Sequence, residues 1–153
     1  MRKVQLEFPT CGIKVTATLL ENHPKQAQEF WDFIEEPVKT FSHPTLSTGD
    51  LTVIFPRPPY EPPAHIGDQT NPLVEDSPYL CDVQAGEIIW LGWNIMLVYG
   101  PNCTEPLKSG GAYVAQVDDE CLADLEVARK DLWYHTFLYH KVATVVFSRK
   151  EDQ

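Results

Sequence analysis

The stretch GEIIWLGWNIMLVYG, residues 86–100, decides the fold. It is nearly all apolar, carries two tryptophans and has a glycine near its middle. A membrane helix needs about 20 continuous apolar residues, whereas this run has 15 positions interrupted by Gly92 and Asn94. Ile88, Ile89, Trp90 and Leu91 fill the first half, and Ile95, Met96, Leu97, Val98 and Tyr99 the second, a composition rich in strand formers. The reading is therefore a hairpin, strands 87–91 and 95–99 joined at Gly92-Trp93. Because both faces are apolar, it must be covered twice, by a core inside and by a helix, loop or second subunit outside.

The rest of the chain supplies the neighbours. KVQLEF alternates into a turn at Pro9–Gly12 and IKVTATLL resumes, which predicts an opening hairpin. Asn22 is a candidate cap for a helix with Pro24 in its first turn, and Ala27, Phe30, Trp31 and Ile34 form its apolar stripe up to Pro37. DLTVIF, 50–55, reads as a strand. Residues 56–78 hold seven of the thirteen prolines, which cannot donate to ladders or helical turns, so this segment reads as a stiffened surface loop. Gly110 and Gly111 make a tight turn into a strand at 112–117. Asp118 or Asp119 can cap a second helix with Cys121, Leu122, Leu125, Ala128 and Leu132 at helical spacing, and KVATVVFS, 141–148, reads as the last strand.

Composition narrows the function classes. Of 153 residues 43% are hydrophobic, which suffices for one core without staples. The four cysteines form no C-x-x-C pair and the N-terminal segment lacks the apolar run of a secretory signal, so reduced thiols and a cytoplasmic location are expected. A net charge of −10 without a Lys/Arg stripe argues against nucleic acid as a partner. No membrane partner and no cofactor are expected.

The order of elements, with ATLLENHPKQAQEFW, GEIIWLGWNIMLVYG, GGAYVAQV, DLEVARKDLW and KVATVVF, resembles the bacterial cyclophilin-like proteins of unassigned function over residues 3–148. The resemblance implies a mainly β fold: a closed eight-stranded antiparallel barrel with two capping helices, one domain over 1–153, and the Pro-rich loop 56–82 as an excursion. A closed barrel has no exposed edge, and its ends would hide the apolar faces of both helices. Its interior is packed, so any site lies on an outer face or beneath a loop. FSHPTLSTGDLTVIFPRPP lacks the Phe-His-Arg and Gly-Gly pattern of prolyl-isomerising cyclophilins, so their residues do not carry over.

The candidate chemistry gathers around the proline loop. His43 and His65 flank it and are the candidate catalytic residues, since an imidazole can exchange protons near neutral pH. Arg57 is the candidate anchor for a carboxylate, with Trp90 and Trp93 as pocket walls and Tyr99 and Tyr113 as hydroxyl donors. His135 and His140 are five apart, which would set them about 140° apart on a helix, so no metal site is expected. Three readings result. The first is a protein that binds a small organic acid or amide at the barrel side, with proton transfer by His43 or His65. The second is a non-catalytic homo-oligomeric interaction module built on the aromatic face, and the third a peptidyl-prolyl isomerase.

Overall fold

The computed structural model of the protein describes residues 1–45, 49–56, 77–92 and 94–151. The segment 86–100 is a hairpin. Strands β5 (Glu87–Trp90) and β6 (Ile95–Val98) pair antiparallel with Ile88 opposite Leu97 and Trp90 opposite Ile95. The Leu91 N–H donates to the Asn94 carbonyl at 3.1 Å, and Gly92 takes φ of 87°. That left-handed conformation is the one tight hairpin turns require and glycine adopts without strain.

The other strands are β1 (Lys3–Phe8), β2 (Ile13–Leu19), β3 (Val38–Pro44), β4 (Leu51–Pro56), β7 (Ala112–Val117) and β8 (Ala143–Arg149). They close into an eight-stranded antiparallel barrel in the order β1-β2-β7-β5-β6-β4-β3-β8. The first and last strands complete the circle, with Val4 opposite Arg149 and Leu6 opposite Phe147. Strand β3 gives no apolar signal in the sequence because its polarity is inverted. Thr40, Ser42 and Pro44 are buried, whereas Lys39 and His43 are exposed. The interior accepts these polar residues because each hydroxyl has a partner. Thr40 Oγ1 donates to the Val145 carbonyl at 2.6 Å, and the Ser42 and Thr52 hydroxyls share a 2.5 Å hydrogen bond.

Helix α1 (Pro24–Phe33) begins one residue later than the sequence suggested, with His23 rather than Asn22 at the cap and Pro24 in its first position. Proline suits that place, since its missing N–H would have no helical partner there. Ala27, Phe30 and Ile34 of its stripe are buried; Trp31 is half-exposed. The Trp31 ring lies beneath the guanidinium groups of Arg2 and Arg149, at 5.2 and 4.7 Å from its centroid. Arg149 also donates to the Trp31 carbonyl at 3.0 and 2.8 Å, which ties the end of α1 to β8. Phe30 and Phe33 meet Trp90, with centroids at 5.5 and 5.0 Å, so this helix packs on the ring of the central hairpin.

Helix α2 (Leu122–Phe137) follows a short turn at Asp119–Cys121 and packs on β2, β3 and β8 through Leu125, Ala128 and Leu132. Asp118 does not cap with its side chain. Its carboxylate instead receives Lys3 Nζ at 2.8 Å and the Thr18 hydroxyl at 2.5 Å, joining β1, β2 and the start of α2. The helix ends at Leu138, so His140 lies beyond it, in a turn with φ of 53°. The helical separation expected for His135 and His140 therefore does not apply.

The outer face of the central hairpin is covered by loops. Leu51, Ile89, Leu91 and Val98 form a second cluster with Leu80, Val83 and Cys103. The covering segments are themselves paired: Leu80 N–H donates to Leu107 O, Cys81 N–H to Glu105 O and Ser109 N–H to Pro78 O. Residues 77–82, at the end of the expected proline excursion, are thus part of the packed structure; residues 57–76 of it lie outside the described residues.

Two predictions test this frame. Gly49 holds φ of 105°, and a Cβ there would lie 1.9 Å from the Asn102 carbonyl oxygen. Gly49→Ala should lower stability by about 2 kcal/mol or more in urea titration; a loss under roughly 0.5 kcal/mol would contradict the geometry. Thr52→Val should cost about 1–3 kcal/mol by stranding the Ser42 hydroxyl, and the double variant with Ser42→Ala should cost less than the two single losses added.

Candidate functional site

The strand pair β3–β4 builds one wall of a cleft on the outside of the barrel. Phe41 and Phe55 are directly opposite in the register and share the outer face with His43, two residues further along β3. Directly opposed side chains in an antiparallel pair stand about 5 Å apart at Cβ, so the two rings form one apolar platform. The second wall is the end of α2 and the turn into β8, which contribute Thr136, His140 and Lys141. The two walls meet because Ser42 pairs with Ala143 and Phe41 with Thr144, which brings the residues before β8 alongside His43. The cleft is open to solvent and has a volume of about 550 Å³. That volume is within the range of small-molecule sites.

Its lining is basic and aromatic. Two imidazoles and an ammonium group border an aromatic platform, and no carboxylate is among the described residues that line it. His43 and His140 are both exposed. The Lys141 N–H donates to the His135 carbonyl at 2.8 Å, fixing the turn that carries both cleft residues.

The other sequence candidates are dispersed. Trp90, read as a pocket wall, lies in the barrel interior at 1% exposure against Phe30 and Phe33, a packing position. Tyr99 is buried near α2, where the Arg129 guanidinium stands 5.7 Å from its ring. Burial, reinforced by the charge of Asp50, pushes its hydroxyl up to about 12, so it stays a neutral donor. Tyr113 is on the outer face of β7. Burial and then Glu87 raise its hydroxyl to about 12 as well. Arg57, His65 and Trp93 lie outside the described residues.

Sequence reasoning paired His43 with His65 and missed His140 and Lys141 as its neighbours. No local signal marks them, because about a hundred residues separate them from His43 and only the β3–β8 register joins the two regions.

A second polar group sits across β1, β2, β7 and β5, where the register aligns Lys3, Thr18, Gln116 and Glu87 in one row. A bulge between Ile88 and Ile89 sets Tyr113 and Gln116 on the same outer face, and the Tyr113 hydroxyl donates to Gln116 Oε1. Gln116 Nε2 in turn donates to the Ala85 carbonyl at 3.1 Å. Burial raises the Glu87 carboxyl, a hydrogen bond at Gln84 opposing it. Cys103 is buried beneath the covering loops, and its thiol is pushed up to about 11 by burial and then by Asp50. A thiol so held is protonated at neutral pH and is a poor nucleophile. Among the described residues no group of three His, Cys, Asp or Glu side chains is placed to hold a metal ion, and no helix is long and apolar enough to cross a membrane.

No family model matches the chain, and no curated protein sequence matches it. Among solved structures, that of McbB in complex with tryptophan is similar, with a TM-score of 0.81 at 20% sequence identity. The match covers 98% of this chain and 45% of the McbB chain, so the protein spans less than half the length of that neighbour. At this identity the likeness speaks for the barrel fold.

The buried carboxyl gives a pH prediction. A carboxyl raised by burial adds stability below its unfolded-state range, and that contribution is lost as pH rises through its folded-state range. Glu87→Gln, uncharged at every pH, should therefore gain on the wild type in urea midpoints as pH rises from 4 to 7. Parallel stability curves for the two proteins would show that burial does not bear on this carboxyl.

Proposed function

We propose that the protein binds a small organic acid in the cleft between the β3–β4 wall and the turn 138–142. The observation that carries this reading is the convergence of His43, His140 and Lys141 on one cleft with the Phe41–Phe55 platform. An ammonium group and imidazole N–H groups suit a carboxylate, while the rings accept the apolar body of the ligand. His43 is the group assigned to exchange a proton with the bound acid, with a second imidazole, His140, lining the same cleft. Arg57, two residues along the chain from Phe55, remains the sequence's candidate for a further carboxylate anchor. The neighbour's complex with tryptophan supports the choice of ligand class, since that amino acid also joins a carboxylate to an aromatic ring.

A thermal-shift series with benzoate, phenylacetate and succinate beside their amides tests the reading. A carboxylate at a hundred times its Kd adds about 2.7 kcal/mol to stability, which for a chain of this size raises Tm by roughly 5–10 °C. The His43→Ala/Lys141→Ala variant should fold normally, as both positions are exposed, and should lose that shift. Equal shifts with the variant, or none with any acid, would remove the cleft as a ligand site.

A further inference from the structure

Helix α2 has apolar residues on every side, although only one side meets the barrel. Leu125, Ala128 and Leu132 are buried, whereas Val127, Tyr134 and Leu138 on the opposite side are 53, 44 and 56% exposed. At about 100° per residue, spacings of seven and four place these three within a narrow stripe. Ala123 and Lys130 are also exposed on that side, and Tyr139, whose ring lies 6.5 Å from that of Tyr134, extends the apolar surface beyond the helix end. An exposed apolar stripe rimmed by charged residues, here Asp124, Lys130 and Asp131, is the pattern of a contact face.

We infer that this face of α2 pairs with the same face of a second copy, antiparallel about a two-fold axis between Lys130 and Asp131. The sequence is complementary to its own reversal there. With that axis, Val127 faces the partner's Tyr134 and Ala123 faces the partner's Leu138. Lys130 faces the partner's Asp131, and Glu120 faces the partner's Lys141. Asp119, Glu120 and Asp124 make the start of the helix acidic, while Lys130 stands at the axis and Lys141 follows just beyond the helix end. An antiparallel pair therefore sets opposite charges together at both ends, and a parallel pair would set like against like. Asp131 already accepts from the Thr10 hydroxyl and lies 3.4 Å from His135 Nδ1, and a carboxylate has lone pairs for a further donor. The match between the two ends of one helix favours a second copy over an unrelated partner, since a two-fold interface needs a patch complementary to itself.

The helix face is about 24 Å long and roughly 10 Å wide, so the contact buries roughly 500 Å² in total, below the range of permanent interfaces. The dimer is accordingly weak, with dissociation in the micromolar range or above. Sedimentation equilibrium of the full chain from tens to hundreds of micromolar should show mass rising toward a dimer and no further. Val127→Glu and Tyr134→Lys, both at exposed positions, should each weaken association at least tenfold while far-UV circular dichroism and Tm stay as in the wild type. Combined in one chain, they place the new carboxylate opposite the new ammonium, and association should return to within a few-fold of the wild type. A monomer across the range would overturn the proposal, as would a dimer indifferent to both substitutions or a double variant no better than the singles.

Discussion

Closure of the sheet is the constraint on which the rest of the structure depends. Every backbone N–H and C=O removed from water needs a partner, and an open sheet leaves two rows of them unpaired at its edges. Here the chain solves this with its own ends: β1 and β8 pair from Val4–Arg149 to Glu7–Val146, and the last open row disappears. Closure also determines what the strands can carry. Phe8, Phe147, Trp90, Ile88 and Leu97 point inward and fill the cylinder, and the apolar sides of α1 and α2 pack against it. Space for a ligand is thereby displaced to the outer wall, where side chains alternate with the core residues and, away from the loop-covered hairpin, are free of packing duty.

The parts of this arrangement written in local pattern were legible. Residues 86–100 declared two strands because their residue types suit a pleated surface on both sides, and they also declared a second cover without naming it. The cover proved to be the paired loop segments around Leu80, Val83 and Cys103, which have no periodic signal since they are not regular elements. Strand β3 was opaque for a different reason. Its inward residues are Thr40, Ser42 and Pro44, and its outward ones include Phe41, so the usual alternation is reversed. Such a strand is stable only beside the particular partners that satisfy its hydroxyls, Val145 and Thr52, and those partners are distant in sequence. The start of α1 moved by one residue to His23 because proline at the first helical position matters more there than a side-chain cap, and none is made.

The candidate site was legible at one residue of its charged set. His43 stands out as an imidazole ahead of the strand 50–55 and the proline loop, and the structure sets it on an outer wall. Its neighbours His140 and Lys141 depend on the pairing of Ser42 with Ala143, a relation that composition and spacing do not encode. Aromatic content pointed two ways at once. Trp90 has the same residue type as a pocket wall but the register of a core residue, opposite Ile95 and facing α1. The platform falls instead to Phe41 and Phe55, one in the strand that the pattern hid.

The turn from α2 to β8 is where the two proposed surfaces meet. Among the described residues, positive φ falls on glycine at five positions and otherwise on His140, at 53°. A side chain in that conformation costs about 1 kcal/mol relative to glycine. Glycine would end the helix without that cost, but it would leave the cleft with one imidazole fewer. The strain is therefore intelligible as the cost of presenting the His140 ring to the cleft from a helix end. The same five residues, 138–142, carry the exposed Leu138 and Tyr139 beside the outer face of α2, and His140, Lys141 and Val142 in the lining of the cleft.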